Sequence, residues 1–432
     1  MQVHSVLVLE EPDKTIKKKI MKTIRSLLTV ILILSISTAC EKQKSEPDLT
    51  PKVINLTAAA PVVISSGNDF GIELFTRTAL AENKNLMLSP LSASTALTML
   101  LNGCAGNTYS QLKNTLRYPS DISIAGINES YKSLVDQLLK ADPKVKLALA
   151  NAIFYRNGFV VKTPFLNTMR DYFSSEIRGL DFSLPSAPGT INKWASDNTN
   201  GKIPKVIDQI TDETVMFIMN ALYFKGDWSY QFDKSKTSDR PFTPDNGSEV
   251  NVSTMTGEVG ARVVYSSSYK AIELPYGRTN FTMIVIVPKN GLKSFNESFD
   301  ADLWNSITSG LDANEEFGKI IVYFPKFKFS YEKVLNDQLM AMGMTDAFIP
   351  YTADLSGISD AGIFVSFVKQ NTFVEVDEVG TEAAAVTTIG IELTSMPPQP
   401  QQFVIDKSFI FAIRERTTNT LMFIGQVVNP KE

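Results

Sequence analysis

Histidine, the side chain that most often activates a catalytic nucleophile, occurs only once in these 432 residues, as His4. A serine or cysteine nucleophile needs an adjacent base, which is histidine in the common triads. We predict that the segment containing His4 is removed, which would leave no such triad and no histidine-ligated metal site. A hydrolase that uses two carboxylates remains an alternative function. No pair among the 46 Asp and Glu residues stands in a recognisable catalytic motif, however. We therefore expect no enzyme activity, no catalytic residue, no metal and no cofactor.

A second chemically informative stretch runs from Phe373 to Pro398. It begins with the alternation of a half-buried strand, in which Val374 and Val376 share one face. Gly380 then opens a run of small residues, which ends at Pro397-Pro398, where neither a helix nor a central strand can continue.

Two interpretations of the small-residue run compete. Residues 382–386 have good helix propensity, which favours a short helix. The residues that follow, Thr387 to Ile391, are poor helix formers. With a period of two, one face carries only small or apolar residues, and both acids, Glu382 and Glu392, lie on the other. An exposed segment with the alternation of a strand could join a β-sheet after a conformational change.

This stretch and five others resemble the serpins, a family of inhibitors that trap proteases. The hinge-like motif is Glu378-Val-Gly-Thr-Glu-Ala-Ala-Ala385. The other motifs follow in family order and span roughly residues 65–430: Asn85-Leu-Met-Leu-Ser-Pro-Leu-Ser-Ala-Ser-Thr-Ala-Leu97, Asn220-Ala-Leu-Tyr-Phe-Lys-Gly-Asp-Trp228, Phe324-Pro-Lys-Phe-Lys328, Ala353-Asp-Leu-Ser-Gly-Ile358 and Phe423-Ile-Gly-Gln-Val427.

The resemblance implies a mixed α/β (α+β) fold with one large central sheet, two smaller sheets and about nine helices. It also implies a suicide-substrate mechanism. The target protease cuts an exposed loop, here about 378–398, and remains covalently attached while the cut loop inserts into the central sheet. The hinge residues are Gly380, Thr381, Glu382, Ala383, Ala384 and Ala385. Insertion would bury every second side chain, and the small Thr381, Ala383 and Ala385 favour an inhibitory member over a carrier or chaperone.

The usual loop length of the family implies a scissile bond between Thr394 and Ser395. Thr394 would be the residue directly before the cut bond, and a small residue there suits elastase-like or subtilisin-like serine proteases. Leu393 instead suits papain-like cysteine proteases, and cleavage after Ile391 or Leu393 is a further alternative. Lys and Arg are absent between Phe373 and Lys407, which argues against a trypsin-like target.

Two further groups of residues carry over from the family by resemblance. Glu378 and Lys326 match an ion pair at the top of the central sheet, for which an ordinary surface salt bridge is the alternative. Beneath the sheet's opening strands, Ser89, Ser92 and Asn192 match a polar cluster whose family partner is a histidine. Gln370 stands at that position, and its amide can both donate and accept.

The N-terminus predicts export. A basic start after Met21 and an apolar run to Ile36 are typical of a signal peptide, and Met21 is an alternative start of the chain. Ser37-Thr-Ala-Cys40 resembles a bacterial lipobox, with Ser37 where leucine is usual. We expect residues 1–39 to be removed and Cys40 to be lipidated at the cell envelope or outer membrane. Ordinary secretion after cleavage near Ala39 is the alternative.

The elements that must position these residues can be outlined. We predict a tether over 40–66 and a serpin domain over 67–432, with a helix from Asn68 to Ala81 and another capped by Ser89-Pro90. Strands are predicted at Lys146–Tyr155, Val215–Phe224, Ile320–Phe329 and Thr372–Val376, all in the large sheet. A closing hairpin is predicted at Phe409–Arg414 and Leu421–Val428. The remaining cysteine, Cys104, is predicted to be a small buried residue.

Composition is that of a soluble globular chain, with 44% hydrophobic and 20% charged residues. The formal net charge is −4, and no basic cluster follows the leader, which argues against a nucleic-acid partner. We expect a monomer whose partner is the target protease and whose only membrane contact is the lipid anchor.

Overall fold

Nine α-helices and fifteen β-strands occur among the residues described by the computed structural model, which are 49–245, 247–314, 316–381 and 401–432. The helices are α1 (Ala60–Ala81), α2 (Pro90–Leu101), α3 (Gly106–Thr115), α4 (Ile124–Leu138), α5 (Thr163–Phe173), α6 (Ala187–Asn198), α7 (Leu292–Asn296), α8 (Ala301–Asp312) and α9 (Asn336–Ala341). The strands are β1 (Leu86–Leu88), β2 (Val145–Arg156), β3 (Glu176–Leu180), β4 (Met216–Asp227), β5 (Ser238–Phe242), β6 (Val250–Tyr265), β7 (Tyr269–Pro275), β8 (Phe281–Pro288), β9 (Gly318–Pro325), β10 (Phe327–Val334), β11 (Lys369–Val376), β12 (Gly380–Thr381), β13 (Gln402–Val404), β14 (Phe409–Glu415) and β15 (Thr420–Val427).

The strands form two sheets. A six-stranded sheet has the order β10-β11-β12-β4-β2-β3, and a nine-stranded sheet has the order β1-β15-β14-β8-β7-β6-β9-β13, with β5 paired to β6. The 16-residue strand β6 pairs with β5 and β9 along its first part and with β7 at its end. The two smaller sheets that we predicted are therefore joined through β6, and the mixed α/β architecture is confirmed.

Several predicted elements are confirmed. β2 and β4 lie at the predicted positions and pair in antiparallel fashion from Val145–Gly226 to Tyr155–Met216. The C-terminal hairpin is formed by β14 and β15. In β11 the side chains alternate in burial, so that Val374 and Val376 are buried as the period of two predicted.

One predicted strand is wrong. The segment Ile320–Phe329 is two strands in different sheets, because the chain turns at Pro325-Lys326. β9 pairs with β6 and β13, whereas β10 pairs with β11 in the six-stranded sheet. Proline lacks the N–H that a continuous central strand needs at this point.

The predicted tether reaches too far into the chain. Helix α1 begins at Ala60, with Pro61 in its first turn, where the missing N–H of proline costs nothing. The preceding residues also contact the folded body: Asn280 and Lys52 exchange hydrogen bonds, and Ile54 is buried. The folded unit therefore starts by Leu49, before the predicted boundary at residue 67.

Helix α2 lies beneath the six-stranded sheet and begins as predicted. The hydroxyl of Ser89 accepts a hydrogen bond from the backbone N–H of Ser92, and Pro90 occupies the first turn. Eleven of its twelve residues are buried, which places the helix in the core. This position explains why a short sequence with little amphipathic pattern is helical.

Candidate functional site

The six-stranded sheet is interrupted between β4 and β11. One edge of β4 pairs with β2 along eleven residues, and one edge of β11 pairs with β10 along eight. Between these two strands, the described part of the chain contributes only the two-residue strand β12. It pairs with β4 at Asp227 and Gly226 and with β11 at Val376. The sheet therefore offers two facing strand edges that are bridged at one end.

A cavity of about 270 Å³ continues this gap below β12. Its walls are residues 213–222 on one side, residues 362–372 on the other, and the buried face of α2. A smaller cavity of about 30 Å³ lies nearer the top, between Leu222, Val374 and Thr381. A cavity between unpaired strand edges has the shape and the hydrogen-bonding groups to accept another strand.

The bridge at the top of the gap is made by a tight turn. The carboxylate of Asp377 accepts hydrogen bonds from the backbone N–H groups of Val379 (2.9 Å) and Gly380 (3.3 Å). A Cβ atom on Gly380 would collide with the backbone of Gly226 and Asp227, so only glycine fits between the strands here.

Thr381, the next residue, already points into the protein. It is 6% exposed, and its hydroxyl lies 2.8 Å from that of Tyr276. The Tyr276 ring stacks on Trp228 at a centroid distance of 4.4 Å, and the Trp228 indole N–H donates to the carbonyl of Asp377. Burial raises the pKa of Tyr276, and the hydrogen bond to Thr381 opposes that rise only in part. The first two hinge residues are thus fixed in the sheet by packing and by a buried hydrogen bond.

The predicted pair of Glu378 and Lys326 meets just above this bridge. The Lys326 ammonium donates to both carboxylate oxygens of Glu378, at 3.1 and 2.9 Å, and the Thr237 hydroxyl donates at 2.8 Å. The Glu378 side chain is 4% exposed, so the pair is not an ordinary surface salt bridge. Burial acts to raise the pKa of Glu378, but the hydrogen bonds from Lys326 and Thr237 outweigh it and hold that pKa below its ordinary value.

Lower in the gap, Gln370 and Ser89 also meet. The side-chain amide of Gln370 donates to the carbonyl of Ser89 (2.8 Å) and accepts from its N–H (3.1 Å). The Ser89 hydroxyl donates to the carbonyl of Met422, which ties α2 to β15. Gln370 therefore links the lower part of β11 to the start of α2 without a titratable group.

Asn192 does not belong to this cluster, which corrects our prediction. Its amide oxygen accepts hydrogen bonds from the N–H groups of Val206 and Ile207, and its nitrogen donates to the carbonyl of Ile207. Those contacts fix the connection that follows α6. Asn220 on β4, by contrast, lines the cavity together with Ser89, Ser92 and Gln370. The period of two along β4 could have indicated it, since Asn220 shares a face with the buried Leu222 and Phe224.

Other predicted positions lie outside the described residues. These are Cys40, the hinge residues Glu382, Ala383, Ala384 and Ala385, and the predicted scissile pair Thr394 and Ser395. Within the described ranges, no helix combines the length and apolar character that a membrane crossing needs, and no group of three His, Cys, Asp or Glu residues could hold a metal ion. Cys104 packs against the core, and burial, aided by Asp354, raises the pKa of its thiol to about 12.

Comparison with known proteins agrees with this geometry. The family model described as "Serpin (serine protease inhibitor)" matches residues 65–430. An uncharacterised serpin-like protein of Methanosarcina mazei is 31% identical over 90% of this chain and 92% of its own. The leukocyte elastase inhibitor of Homo sapiens is 31% identical over 85% of this chain and 99% of its own.

Solved structures give the same result. The native state of tengpin, a thermophilic serpin, matches with a TM-score of 0.78 and 31% identity, covering 87% of this chain and 95% of tengpin. Human thyroxine-binding globulin with bound thyroxine also matches with a TM-score of 0.78, at 28% identity, covering 87% of this chain and all of that one. The chain belongs to the serpin family.

Proposed function

We propose that this protein is a protease inhibitor that acts as a suicide substrate. The observation that carries the proposal is the hinge: Gly380 and Thr381 already occupy the top of a gap that is open below them. A cut loop attached to Thr381 would continue down this gap as a full strand. The facing edges of β4 and β11 would then gain hydrogen-bonding partners along their length.

The register of β12 defines the pairs that insertion would form. Continued in the same direction, it places Ala383 between Phe224 and Val374, and Ala385 between Leu222 and Thr372. These neighbours face the core, so the small side chains of the hinge enter without a clash. The continued strand would reach Met216, the end of β4, at Ile391, and the proposed scissile bond at Thr394-Ser395 follows just beyond it.

The proposed target is an elastase-like or subtilisin-like serine protease, because Thr394 is small. The 31% identity with the human leukocyte elastase inhibitor supports this class. A papain-like cysteine protease that recognises Leu393 is the alternative target. The partner would be held as a covalent complex by a monomeric inhibitor.

A non-inhibitory role as a carrier or chaperone is the second candidate. The similarity to thyroxine-binding globulin, which is seen with bound thyroxine, is the observation that favours it. The gap favours inhibition instead, since a carrier needs no strand-shaped acceptor between β4 and β11.

The site of action that we propose is outside the cell or at its envelope. Cleavage before Cys40 and its lipidation would anchor the protein, and the Pro-containing segment that follows would hold the folded body near the membrane surface. Ordinary secretion would give the same inhibitor without the anchor.

Incubation with an elastase-like protease tests the proposal, with trypsin as the matched control enzyme. We expect a complex with the elastase-like protease that survives SDS, together with a released C-terminal peptide whose mass places its first residue at Ser395. Trypsin should form little complex, since the loop offers no Lys or Arg. Quantitative cleavage without any complex would favour the carrier. No cleavage and no complex with serine or cysteine proteases would contradict the inhibitor proposal.

A further inference from the structure

The segment that precedes α1, residues 49–55, is fastened to the folded body at two points. The fully buried side chain of Asn280 accepts a hydrogen bond from the backbone N–H of Lys52 (2.7 Å) and donates one to its carbonyl (2.8 Å). The side-chain amide of Gln137 forms the same reciprocal pair with the backbone of Asn55, at 2.7 and 2.6 Å. We call this segment the strap, because both ends of it are held by paired hydrogen bonds.

The strap runs alongside the end of α4. The ammonium group of Lys52 donates to the carbonyl of Lys140 at 3.1 Å. Together with the contact at the other end of the strap, this contact makes the strap antiparallel to the end of α4 and places Val53 beside Leu139. Both are apolar and exposed, at 71% and 40%. The strap and the end of α4 therefore present an apolar pair to the solvent.

Positive charge accompanies this apolar pair. Lys52, Lys140 and Lys144 are all exposed, and the ammonium groups of the last two form no hydrogen bond or ion pair with a described residue. The carboxylate of Asp142 does not neutralise them, because it is buried and accepts hydrogen bonds from backbone N–H groups. Three lysines against one exposed acid on this end of α4, Asp136, leave a net positive charge.

We call the exposed residues of this region the strap surface; they are Lys52, Val53, Asp136, Leu139, Lys140 and Lys144. Exposed apolar side chains among lysines are typical of protein surfaces that bind anionic lipids. The chain as a whole carries a formal net charge of −4, so this surface differs in sign from the protein that bears it. An acidic body with one positive surface would turn that surface toward a negatively charged membrane.

The length of the preceding chain brings this surface close to the proposed anchor. The carbonyl of Leu49 accepts a hydrogen bond from the Thr279 hydroxyl at 2.8 Å, which fixes where the chain leaves the folded body. Only nine residue steps separate Leu49 from Cys40, and such a chain spans at most about 30 Å when fully extended. A lipid on Cys40 would therefore keep the strap surface within reach of the bilayer.

We propose that the strap surface docks on an anionic lipid surface and so fixes the orientation of the folded body at the cell envelope. This inference rests on the proposed site of action and adds a second membrane contact to the lipid anchor. Its electrostatic part acts only over about 10 Å at ordinary salt, so the short connection to Cys40 is what makes it effective.

Lysine reactivity on vesicles tests the proposal. The mature chain, from Cys40 onward, is coupled through its Cys40 thiol to a maleimide-bearing lipid. The Cys104 thiol should react slowly, because burial raises its pKa to about 12. The vesicles contain phosphatidylcholine with about one-third phosphatidylglycerol. Lysines are then acetylated, and mass spectrometry gives the rate at each position. We expect Lys52, Lys140 and Lys144 to react roughly fivefold more slowly than in the uncoupled protein.

Lys289 and Lys293 are the internal controls. Both are exposed, and they follow β8, whose first residue lies next to Asn280 and whose last lies about 25 Å away. Their rates should change less than about twofold, because they lie far from the strap surface.

Two charge-reversal variants sharpen the test. The double variant Lys140→Glu and Lys144→Glu should abolish the protection of Lys52 on anionic vesicles. The matched double variant Lys289→Glu and Lys293→Glu makes the same change in net charge and should leave the protection of Lys52 intact. Equal loss of protection in both would overturn the inference, because net charge and not the strap surface would then control docking.

Two other results would also overturn it. Equal rates at the strap lysines with and without anionic vesicles would mean that this surface does not contact the membrane. Equal protection on pure phosphatidylcholine would mean that closeness to the bilayer, and not its charge, shields the lysines. Dextran sulfate added to the uncoupled protein checks the other occupant. Protection by dextran sulfate but not by anionic vesicles would assign the surface to a soluble polyanion.

These results are separate from those that test the proposed function. Coupling to the maleimide lipid anchors the protein whether or not Cys40 is lipidated in the cell, and the assay uses no protease. Absence of the wild-type protein from the membrane fraction of cells would contradict the proposed anchor. Failure to trap a protease would contradict the proposed inhibitory function.

Discussion

Under the proposed mechanism, the substitution Ala383→Arg should convert the protein from an inhibitor into a substrate. The register of β12 places Ala383 between Phe224 and Val374 after insertion, and these neighbours are 7% and 1% exposed. An arginine there would bury its guanidinium near the ring of Phe224, whose centroid lies 5.1 Å from that of Tyr276 and 5.7 Å from that of Phe281. A buried charge without a partner costs several kcal/mol even after relaxation.

This free-energy cost should change the ratio of inhibitor molecules that are cleaved to inhibitor molecules that trap the protease. Insertion competes with hydrolysis of the acyl-enzyme, and each ~1.4 kcal/mol added to the insertion barrier slows it about tenfold. If half of a penalty of roughly 4 kcal/mol acts on the rate-limiting step, insertion slows about thirtyfold. Hydrolysis would then dominate, and an assay of residual elastase-like activity should show many inhibitor molecules cleaved for each enzyme trapped.

Ala384→Arg is the matched control because it changes the neighbouring residue on the outer face. There the register places it between Tyr223 and Phe373, both half-buried. It should trap protease with a stoichiometry much closer to wild type. Thr381→Arg is a less direct test, because Thr381 is already buried against Tyr276 before cleavage. Normal trapping by Ala383→Arg, or equal loss in both variants, would refute the proposed register of insertion.

Three further outcomes are expected. Glu378→Gln should lower the free energy of unfolding at neutral pH by about 2 kcal/mol, since a buried, charge-assisted contact with Lys326 is lost. Because the folded-state pKa of Glu378 lies below 4.5, wild type should keep this extra stability above pH 4.5 and lose it at lower pH. The urea unfolding curves of the two proteins should therefore converge at low pH. A difference that stays constant with pH would contradict the role given to the Glu378 carboxylate. Tyr276→Phe should lower the melting temperature of the uncut protein by leaving the Thr381 hydroxyl without its partner, whereas an unchanged melt would mean that the hydrogen bond contributes little. Cys40→Ala should move the protein from the membrane fraction to the soluble fraction without loss of inhibition, and unchanged partitioning would contradict the lipid anchor.

Much of the fold could be predicted because its signals are local. Alternating or continuous apolar runs predicted β2, β4, β11 and the C-terminal hairpin, and Ser89-Pro90 predicted the start of α2. Local signals also misled. The proline pattern assigns Pro61 to a linker although Pro61 lies in the first turn of α1, and the single run from Ile320 to Phe329 conceals a change of sheet at Pro325.

The site was harder to predict, because its contacts join distant parts of the chain. The pairing of Lys326 with Glu378 spans 52 positions, and the near-complete burial of the Glu378 side chain depends on packing that no local pattern encodes. Asn192 follows the start of a polar helix and instead binds the connection after that helix, whereas Asn220 interrupts an apolar strand and lines the gap, and the resemblance alone did not separate the two. The hydrogen bond between Thr381 and Tyr276 likewise joins residues that are 105 positions apart in the sequence.

Hydrogen exchange before and after loop cleavage would test most directly whether the cut loop fills the gap between β4 and β11. Peptides from Met216–Asp227 and Lys369–Val376 should be followed by mass spectrometry in the intact protein and in protein cut by an elastase-like protease. We predict that amides of both strands become strongly protected after cleavage, because the inserted strand would pair with both edges, while those of β14 and β15 change little. Unchanged exchange in β4 and β11 after complete cleavage would show that the cut loop stays outside the sheet.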